Sequence, residues 1–335
     1  DTNNLYQCVD VNVRGRDCGY ITIYLGDGEN TEYVWAKVGG SGGATLDDYI
    51  KGIVTEVSSD VTTIRQSLFS ECELITSVDF PACTSIGGNA FFYCTGLSSV
   101  NFPVCTNIDI YAFSDCTGLT SVNFPACTSI SHNAFENCVC LTSVDFPVCT
   151  SIDEYAFFHC DSLTAVDFPA CTSIGTMAFS ECIRLTSVNF PACTSIGESA
   201  FVNIGGSLTS VNFPACVSIG NCAFGTCAGL TSVNFPACTS IGEMAFGDCT
   251  NLHTVDFSET VHIGSYAFVG CANLKSVILR ASSVCTMDAD AFSDCGTGSY
   301  PVIYVPSSML NAYSKADGWS TLYNLGRIKA IESMT

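Results

Sequence analysis

Residues 119–140 decide the fold of this chain, and they read LTSVNFPACTSISHNAFENCVC. Another copy follows at once, and the phenylalanine of the Ala-Phe pair recurs at a spacing of 22 residues from Phe91 to Phe201. Later copies continue the pattern with small shifts, the first of them near Gly205. A motif of this length repeated about ten times predicts a solenoid, because each repeat packs only on its neighbours.

The first part of the unit predicts a short strand. Val122 and Phe124 alternate with the polar Asn123, which places the two apolar side chains inside and the asparagine outside. Pro125 ends the strand, because proline has no amide hydrogen to donate to a ladder.

The second part of the unit returns to the interior. Cys127 and Ile130 are expected to point inward, and Phe135 and Cys138 then close the rung along a less regular edge. A loop of 22 residues has too little interior of its own to offset its ordering entropy. We therefore predict an α/β-type repeat solenoid, a right-handed stack of short parallel strands with an irregular convex side, capped by a C-terminal helix.

The chain divides into five segments by composition. We predict a small β-hairpin segment in residues 1–38, a Gly/Ser linker in 39–44 and an N-terminal cap in 45–72. Repeats fill residues 73–300, and a strand and helix cap fills 301–335. The hairpin segment is too short for a stable core of its own, which leaves a domain remnant, an attachment segment and an extra cap layer as open alternatives.

The C-terminal cap is predicted in more detail. A helix should run from Ser307 to Asp317, with Tyr313 on its apolar side and Gly318 at its exit. The residues expected to cover the last rung after it are Trp319, Tyr323, Leu325, Ile328 and Ile331.

The chain holds 23 cysteines, and most of them occupy two fixed positions of the repeat. A small side chain that recurs once per rung behaves as a buried apolar group, so we predict two ladders of reduced core thiols. Equivalent residues of stacked rungs lie about 4.8 Å apart, a separation that a disulfide also tolerates, so vertical bridges remain the alternative. Cys8 and Cys18 lie outside the ladders, and a mutual disulfide and two free thiols are equally open.

The negative net charge of the chain limits the kinds of partner that we expect. The net charge is −21, and Arg184 is the only basic residue between Gln66 and Leu274. Such a surface repels phosphate backbones and anionic lipid, so nucleic acid is not expected as a partner. No apolar run is long enough to span a bilayer, so membrane insertion of this segment is not expected either.

The repeat LTSVNFPACTSIGxxAFxxCTG resembles the BspA-type leucine-rich repeat over about residues 53–331, and the ending IYVP with a later Tyr and Trp is similar to the terminal strand and helix of such arrays. The resemblance implies bacterial surface-exposed or secreted proteins, often adhesins. This chain departs from the pattern in keeping cysteine after Phe-Pro. The nearly identical rungs also resemble repeat segments of phage tail-associated proteins, which leaves a virion as the alternative location.

Two surfaces are candidate binding sites. The first is the outward strand position, a flat polar column on which solenoids commonly bind. Two of its carboxylates, Asp145 and Asp167, are neighbours that could share calcium, although no ligand loop accompanies them. The column consists of Asp79, Asn101, Asn123, Asp145, Asp167, Asn189, Asn212, Asn234 and Asp256.

The second candidate is a group of aromatic residues after Ala-Phe, where other copies have Ser, Glu or Gly. Aromatic side chains make better hot spots than serine or asparagine. The group consists of Phe92, Tyr93, Phe158 and His159. The tyrosines just before Ala, at Tyr111, Tyr155 and Tyr266, are interpreted as packing between rungs.

Catalysis is not expected. The histidines are His132, His159, His253 and His262, and the last two could approach Asp256. No activated nucleophile accompanies them, and the sequence contains no zinc-binding or phosphate-binding motif. We predict no catalytic residues, no metal site and no cofactor. The predicted function is non-catalytic binding or adhesion to a protein or glycan, outside the cell or at its surface. A structural spacer or virion component is the alternative, and an enzyme a more distant one.

Overall fold

The computed structural model describes residues 20–25, 32–37, 61–73, 75–260, 262–288, 290–295 and 300–334. Within the segment predicted as a hairpin, β1 (Tyr20–Leu25) pairs antiparallel with β2 (Glu32–Lys37). Residues 39–60, with the predicted linker and the start of the N-terminal cap, lie outside the described residues, as do Cys8 and Cys18.

The described rungs stack as parallel strands in two ladders, which confirms the predicted solenoid. The first ladder holds the Ser-Val-Asn segment of each rung, and equivalent residues face each other, as Val144 faces Val122. Its strands are β4 (Ser77–Asp79), β6 (Ser99–Asn101), β8 (Ser121–Asn123), β10 (Ser143–Asp145), β12 (Ala165–Asp167), β14 (Ser187–Asn189), β16 (Ser210–Asn212), β18 (Ser232–Asn234), β20 (Thr254–Phe257), β22 (Ser276–Leu279), β24 (Val302–Val305) and β25 (Ile328–Ala330).

The second ladder holds the Ser-Ile segment and forms one continuous sheet. It begins at Thr63, inside the segment predicted as the N-terminal cap, and Val61 is buried in the cysteine position there. Its strands are β3 (Thr63–Ile64), β5 (Ser85–Ile86), β7 (Asn107–Ile108), β9 (Ser129–Ile130), β11 (Ser151–Ile152), β13 (Ser173–Ile174), β15 (Ser195–Ile196), β17 (Ser218–Ile219), β19 (Ser240–Ile241), β21 (His262–Ile263) and β23 (Thr286–Met287).

The remaining side of each rung has no strand, yet its backbone is also hydrogen-bonded along the stack. The amide of Phe135 donates to the carbonyl of Ala156 in the next rung (2.9 Å), whereas the amide of Ala134 donates within its own turn to Ser131 (3.2 Å). This alternation satisfies the backbone donors on the irregular side. We call its outer surface the turn face.

The core runs the length of the stack. Val122, Phe124, Cys127 and Ile130 are all buried, as predicted, and so are the later Phe135 and Cys138. The phenylalanine rings stack in two columns, with centroids 5.2 Å apart from Phe113 to Phe135 and 5.6 Å apart from Phe102 to Phe124. Rings at this separation both bury area and gain from offset stacking, so the columns tie successive rungs together.

The C-terminal cap closes the last rung through its backbone. Both polar groups of Cys285 are bonded by cap side chains: its amide donates to the Tyr313 hydroxyl (3.0 Å), and its carbonyl accepts from Trp319 Nε1 (2.6 Å). Tyr313 and Trp319 are fully buried, and Leu322 and Ile328 pack beside them. The aromatic pair thus replaces the contacts that a further rung would supply.

The predicted single helix over 307–317 is wrong in extent. A 3-10 turn (Ser307–Met309) leads into helix α1 (Leu310–Tyr313), and a second helix, α2 (Trp319–Asn324), follows. Gly318, with φ +79°, precedes α2 because a left-handed residue reverses the chain there. Tyr323 and Leu325, which were expected to cover the rung, are exposed.

The phenylalanine columns make a prediction about stability. Phe135→Ala should lower the free energy of unfolding by about 3–5 kcal/mol, because it leaves a cavity between two stacked rings. The half-exposed Phe158 offers the same substitution outside the core. Urea denaturation followed by circular dichroism should show a much smaller loss for Phe158→Ala, and equal losses would contradict this account of the core.

Candidate functional site

The strand face is the outer side of the first ladder, with the column from Asp79 to Asp256 on it. Its side chains point outward as predicted, but many of them bond to each other. The Asn101 amide donates to Asp79 (2.9 Å), and the Asn189 amide donates to Asp167 (2.8 Å). Farther along, Asn234 donates to Asn212 (2.8 Å), and Arg280 holds Asp256 with two bonds of 2.8 and 2.6 Å. Much of the column's hydrogen-bonding capacity is therefore already in use.

The strand pairing of the first ladder is interrupted at two places. One lies between β10 and β12, which end in Asp145 and Asp167, and the other between β14 and β16, which end in Asn189 and Asn212. Since the second break has no carboxylates, charge repulsion does not account for the interruptions. Among the described residues no group of three or more His, Cys, Asp or Glu side chains is arranged to hold a metal ion, so the geometry lends the calcium hypothesis no support.

Threonine hydroxyls beside the strands are also engaged. Thr120 Oγ1 donates to the carbonyl of Ser98 (3.1 Å), and Thr142 Oγ1 donates to the carbonyl of Thr120 (2.9 Å). A parallel series on the second ladder includes Thr150, which donates to Thr128 (3.1 Å). Both surfaces therefore carry regularly spaced hydroxyl groups that already donate hydrogen bonds to carbonyl oxygens of the preceding rung.

The turn face is built differently, on pairs of left-handed residues. Each full rung has one such residue before Ala-Phe and another four positions later, as at Asn133 (φ +57°) and Asn137 (φ +57°). For a residue other than glycine this conformation costs roughly 1–2 kcal/mol, and asparagine tolerates it best. Tyrosine or methionine at these positions is therefore not what the backbone favours.

Several turn-face positions nevertheless carry large side chains. Tyr93 is 44% exposed and Tyr111 is 37% exposed. The interpretation of the tyrosines before Ala as packing between rungs is thus wrong for Tyr111 and Tyr266, whose side chains face solvent. Tyr155 is half-buried and packs edge-on against Phe158, with centroids 5.6 Å apart.

The predicted aromatic group divides into two clusters. Phe92 contacts Tyr93, with ring centroids 6.3 Å apart, and Phe158 contacts His159 at 4.5 Å. Three rungs separate the two pairs, which is about 14 Å at about 4.8 Å per rung. Sequence reasoning found both pairs but missed the turn-face residues Ile110, Ile183 and Met244, which are also exposed. Their departure from the polar residues of other rungs is the signal that would have found them.

Other histidines lie apart from one another. His262 Nδ1 is 3.0 Å from the Thr286 hydroxyl, and His253 Nδ1 is 2.5 Å from the Asn251 carbonyl. The expected approach of either to Asp256 is not observed, because that carboxylate is held by Arg280.

The ladder cysteines are free thiols buried in the core. Burial raises the pKa of Cys127 to about 11 and that of Cys105 to about 12. A nucleophilic cysteine needs the opposite shift and access to solvent. These thiols are therefore structural side chains, and among the described cysteines only Cys140 is exposed and Cys222 half-buried.

Sequence comparison identifies the family. The family model described as "BspA type Leucine rich repeat region" matches residues 51–164, 84–206 and 194–316, so that most of the chain is covered. The chain belongs to the BspA-type leucine-rich-repeat family. No curated protein matches it significantly. Within the described part of this BspA-type chain, none of the helices has the length and apolar character needed to cross a bilayer.

Solved structures resemble the BspA-type chain at low sequence identity. A leucine-rich cell surface protein from Faecalibacterium prausnitzii is 25% identical, with 92% of this chain and 98% of that one covered and a TM-score of 0.41. A leucine-rich repeat protein from Bacteroides ovatus is 21% identical, with coverage of 93% and 98% and a TM-score of 0.38. The T. pallidum leucine-rich repeat protein is 24% identical, with coverage of 69% and 86% and a TM-score of 0.39.

The buried thiols predict a loss of stability at alkaline pH. The unfolded chain releases thiol protons near pH 9.0, whereas the folded chain retains them to about pH 11 at Cys127. The contribution of the buried thiols to the free energy of unfolding is therefore fully present below pH 9. It falls as the pH rises above 9, by up to about 1.4 kcal/mol per pH unit for each buried thiol. Urea midpoints measured with reductant from pH 7.5 to 10.5 should fall steeply above pH 9. Cys140→Ala, which removes an exposed thiol, should leave this profile unchanged, and a flat profile would contradict the assignment.

Proposed function

We propose that this protein is a non-catalytic binding protein of the cell surface that recognises a protein or glycan partner through its turn face. One observation carries the proposal: six of the thirteen exposed large apolar residues in the described part of the chain lie on that face. Exposed apolar and aromatic side chains supply most of the binding energy in protein interfaces. The six are Tyr93, Ile110, Tyr111, Ile183, Met244 and Tyr266.

The strand face is the weaker candidate on energetic grounds. Its amides and hydroxyls already donate to neighbouring rungs, as Asn101 does to Asp79 and Thr120 does to Ser98. A partner would have to break those bonds or accept poorer geometry, and each desolvated group left imperfectly paired weakens binding. The turn face has bonds of the same kind, such as Asn137 to Asp115 (3.0 Å), but its exposed aromatic and aliphatic side chains add apolar area that a partner can cover without breaking them.

Backbone conformation also favours the turn face. Tyr93, Tyr111 and Tyr266 occupy left-handed positions that several other rungs fill with Asn or Asp, as at Asn133 and Asn137, and the remaining rungs with other residue types. A residue held against its local preference is a reason to suspect function. Tyrosine there costs stability in isolation, and a contact outside the fold would offset that cost.

The family and the side chains support the proposed location and the proposed binding role. Membership of the BspA-type family supports a cell-surface location, and no feature of the fold favours the virion alternative. The ladder thiols are buried, and Arg280 occupies the carboxylate expected near the histidines. These observations support a binding role over catalysis.

Substitutions taken from the protein's own rungs test the proposal. Tyr93→Asn, Tyr111→Asn and Tyr266→Asn introduce the residue that other rungs carry at the same left-handed positions, so the fold should be retained and its melting temperature unchanged or raised. In a binding screen against matrix proteins and glycans, the triple variant should weaken the captured partner at least about tenfold.

The matched control lies on the strand face. Asn123→Lys with Asp167→Lys should leave binding of the same partner within about twofold, because the strand face is not the contact surface. Loss of binding in the strand-face variant but not in the tyrosine variant would overturn the assignment of the face. Capture of no partner by the intact chain would favour a structural spacer instead.

A further inference from the structure

The rung of residues 141–162 carries a compact aromatic cluster on the turn face. The Phe158 ring lies between two others at steep angles, 80° to Tyr155 and 83° to His159. All three side chains are half-buried, so each keeps part of its surface open to solvent. We call these three residues the aromatic cluster.

Three carboxylates of the same rung accompany the aromatic cluster. Asp161 Oδ1 lies 3.4 Å from His159 Nδ1, is shielded from solvent and makes no hydrogen bond within the described part of the chain. Asp153 and Glu154 directly precede Tyr155 in the chain, and their oxygens lie 4.0 and 3.7 Å from the ring nitrogens of His132 in the preceding rung. Asp153 and Glu154 are exposed, so their charge is available to a partner.

The same combination recurs three rungs earlier. Tyr93 lies in a column of equivalent residues between Glu71 and Asp115, on the rungs before and after it. The backbone confirms that these rungs are adjacent, because the amide of Glu71 donates to Phe92 and the amide of Tyr93 donates to Ser114 (2.9 Å). An exposed aromatic ring flanked by carboxylates is thus repeated along the stack at a spacing of about 14 Å.

The fold does not require these residues. Other rungs place Asn133 where Tyr155 lies, Ser180 where Phe158 lies and Asn137 where His159 lies. Tyr155 and His159 also hold left-handed conformations, at φ +57° and +55°. The aromatic cluster is therefore an exception that the packing of the stack leaves unexplained.

From this arrangement we infer that the turn face binds an extended basic segment of a protein partner, with lysine or arginine side chains placed against the aromatic cluster and against Tyr93. This inference rests on the proposed function and names its partner class. An aromatic face attracts a cation, and Arg stacks on it well. The flanking carboxylates pair with the same charge, and they repel anionic glycans and phosphates.

The distance between Tyr93 and the aromatic cluster favours a partner segment in an extended conformation. Residues four apart in a strand lie about 13 Å apart and point to the same side. Two basic residues at positions i and i+4 therefore match the distance of about 14 Å between Tyr93 and the aromatic cluster. A polyamine has the charge but lacks side chains at this spacing.

Peptide binding to the full chain tests the inference. The probe is a short peptide based on Thr and Gln that carries arginine at positions i and i+4, and the comparison peptides carry the two arginines side by side or replace them with glutamate. Fluorescence anisotropy should give tighter binding of the spaced peptide, by about fivefold over the adjacent one, with weakening as salt rises. Equal binding of both arginine peptides, or competition by spermidine as strong as by the peptide, would overturn the proposed partner class.

Two matched variants separate a site from general attraction. Asp153→Ser, Glu154→Thr and Asp161→Thr remove three negative charges beside the aromatic cluster, with residues that other rungs carry at those positions. Asp79→Asn, Asp145→Asn and Asp167→Asn remove three from the strand face. The first variant should weaken the spaced peptide about tenfold and the second by less than about twofold; equal weakening would mean unspecific attraction and contradict the inference.

The aromatic side chains are tested separately, in the variant Tyr155→Asn, Phe158→Ser and His159→Asn. This variant should lose peptide binding about tenfold while keeping its melting temperature. If a partner found in the screen depends on the turn-face tyrosines but ignores the loss of the carboxylates, the proposed function stands and the basic partner class is wrong. If no partner depends on the turn face, both are wrong.

Discussion

The described solenoid depends on one constraint, which is that each rung must meet its neighbours at one spacing on all of its sides at once. The two strand ladders and the turn side all carry amide donors across the boundary between rungs, as Phe135 does to Ala156. An interior side chain of the wrong size would therefore strain three sets of hydrogen bonds together. This explains why Leu, Val, Phe, Cys and Ile recur at their positions with few substitutions.

The same constraint determines where sequence freedom remains. The turn side needs two left-handed residues in each rung so that alternate amides can reach the next rung and their own turn. Neighbouring rungs impose this conformation, and the side chain there is free to vary, from Asn133 to Tyr155 to Met244. At these positions the backbone conformation is fixed but many side chains are tolerated. A repeat protein can therefore gain a binding surface there without disturbing its core.

Sequence periodicity was enough to predict the core and the strands, because inward residues such as Val122 and Cys127 recur at fixed positions. It also predicted the outward column on the strand face. It could not show that Asn101 and Asp79 bond to each other, since that depends on the register of the rungs. Nor could it predict the left-handed turns, because the residues there are rarely glycine, or the division of the C-terminal helix at Gly318.

The scarcity of basic residues has a consequence for survival outside a cell. A protease that cleaves after lysine or arginine finds only Arg184 between Gln66 and Leu274. The bond after it leads into Leu185, which is fully buried and whose amide is bonded to Cys182 (3.0 Å). Cleavage requires a segment that can leave the structure and extend into an enzyme cleft. The long middle of the molecule thus offers trypsin-like digestion almost nothing to cut, so composition as well as stability limits its cleavage.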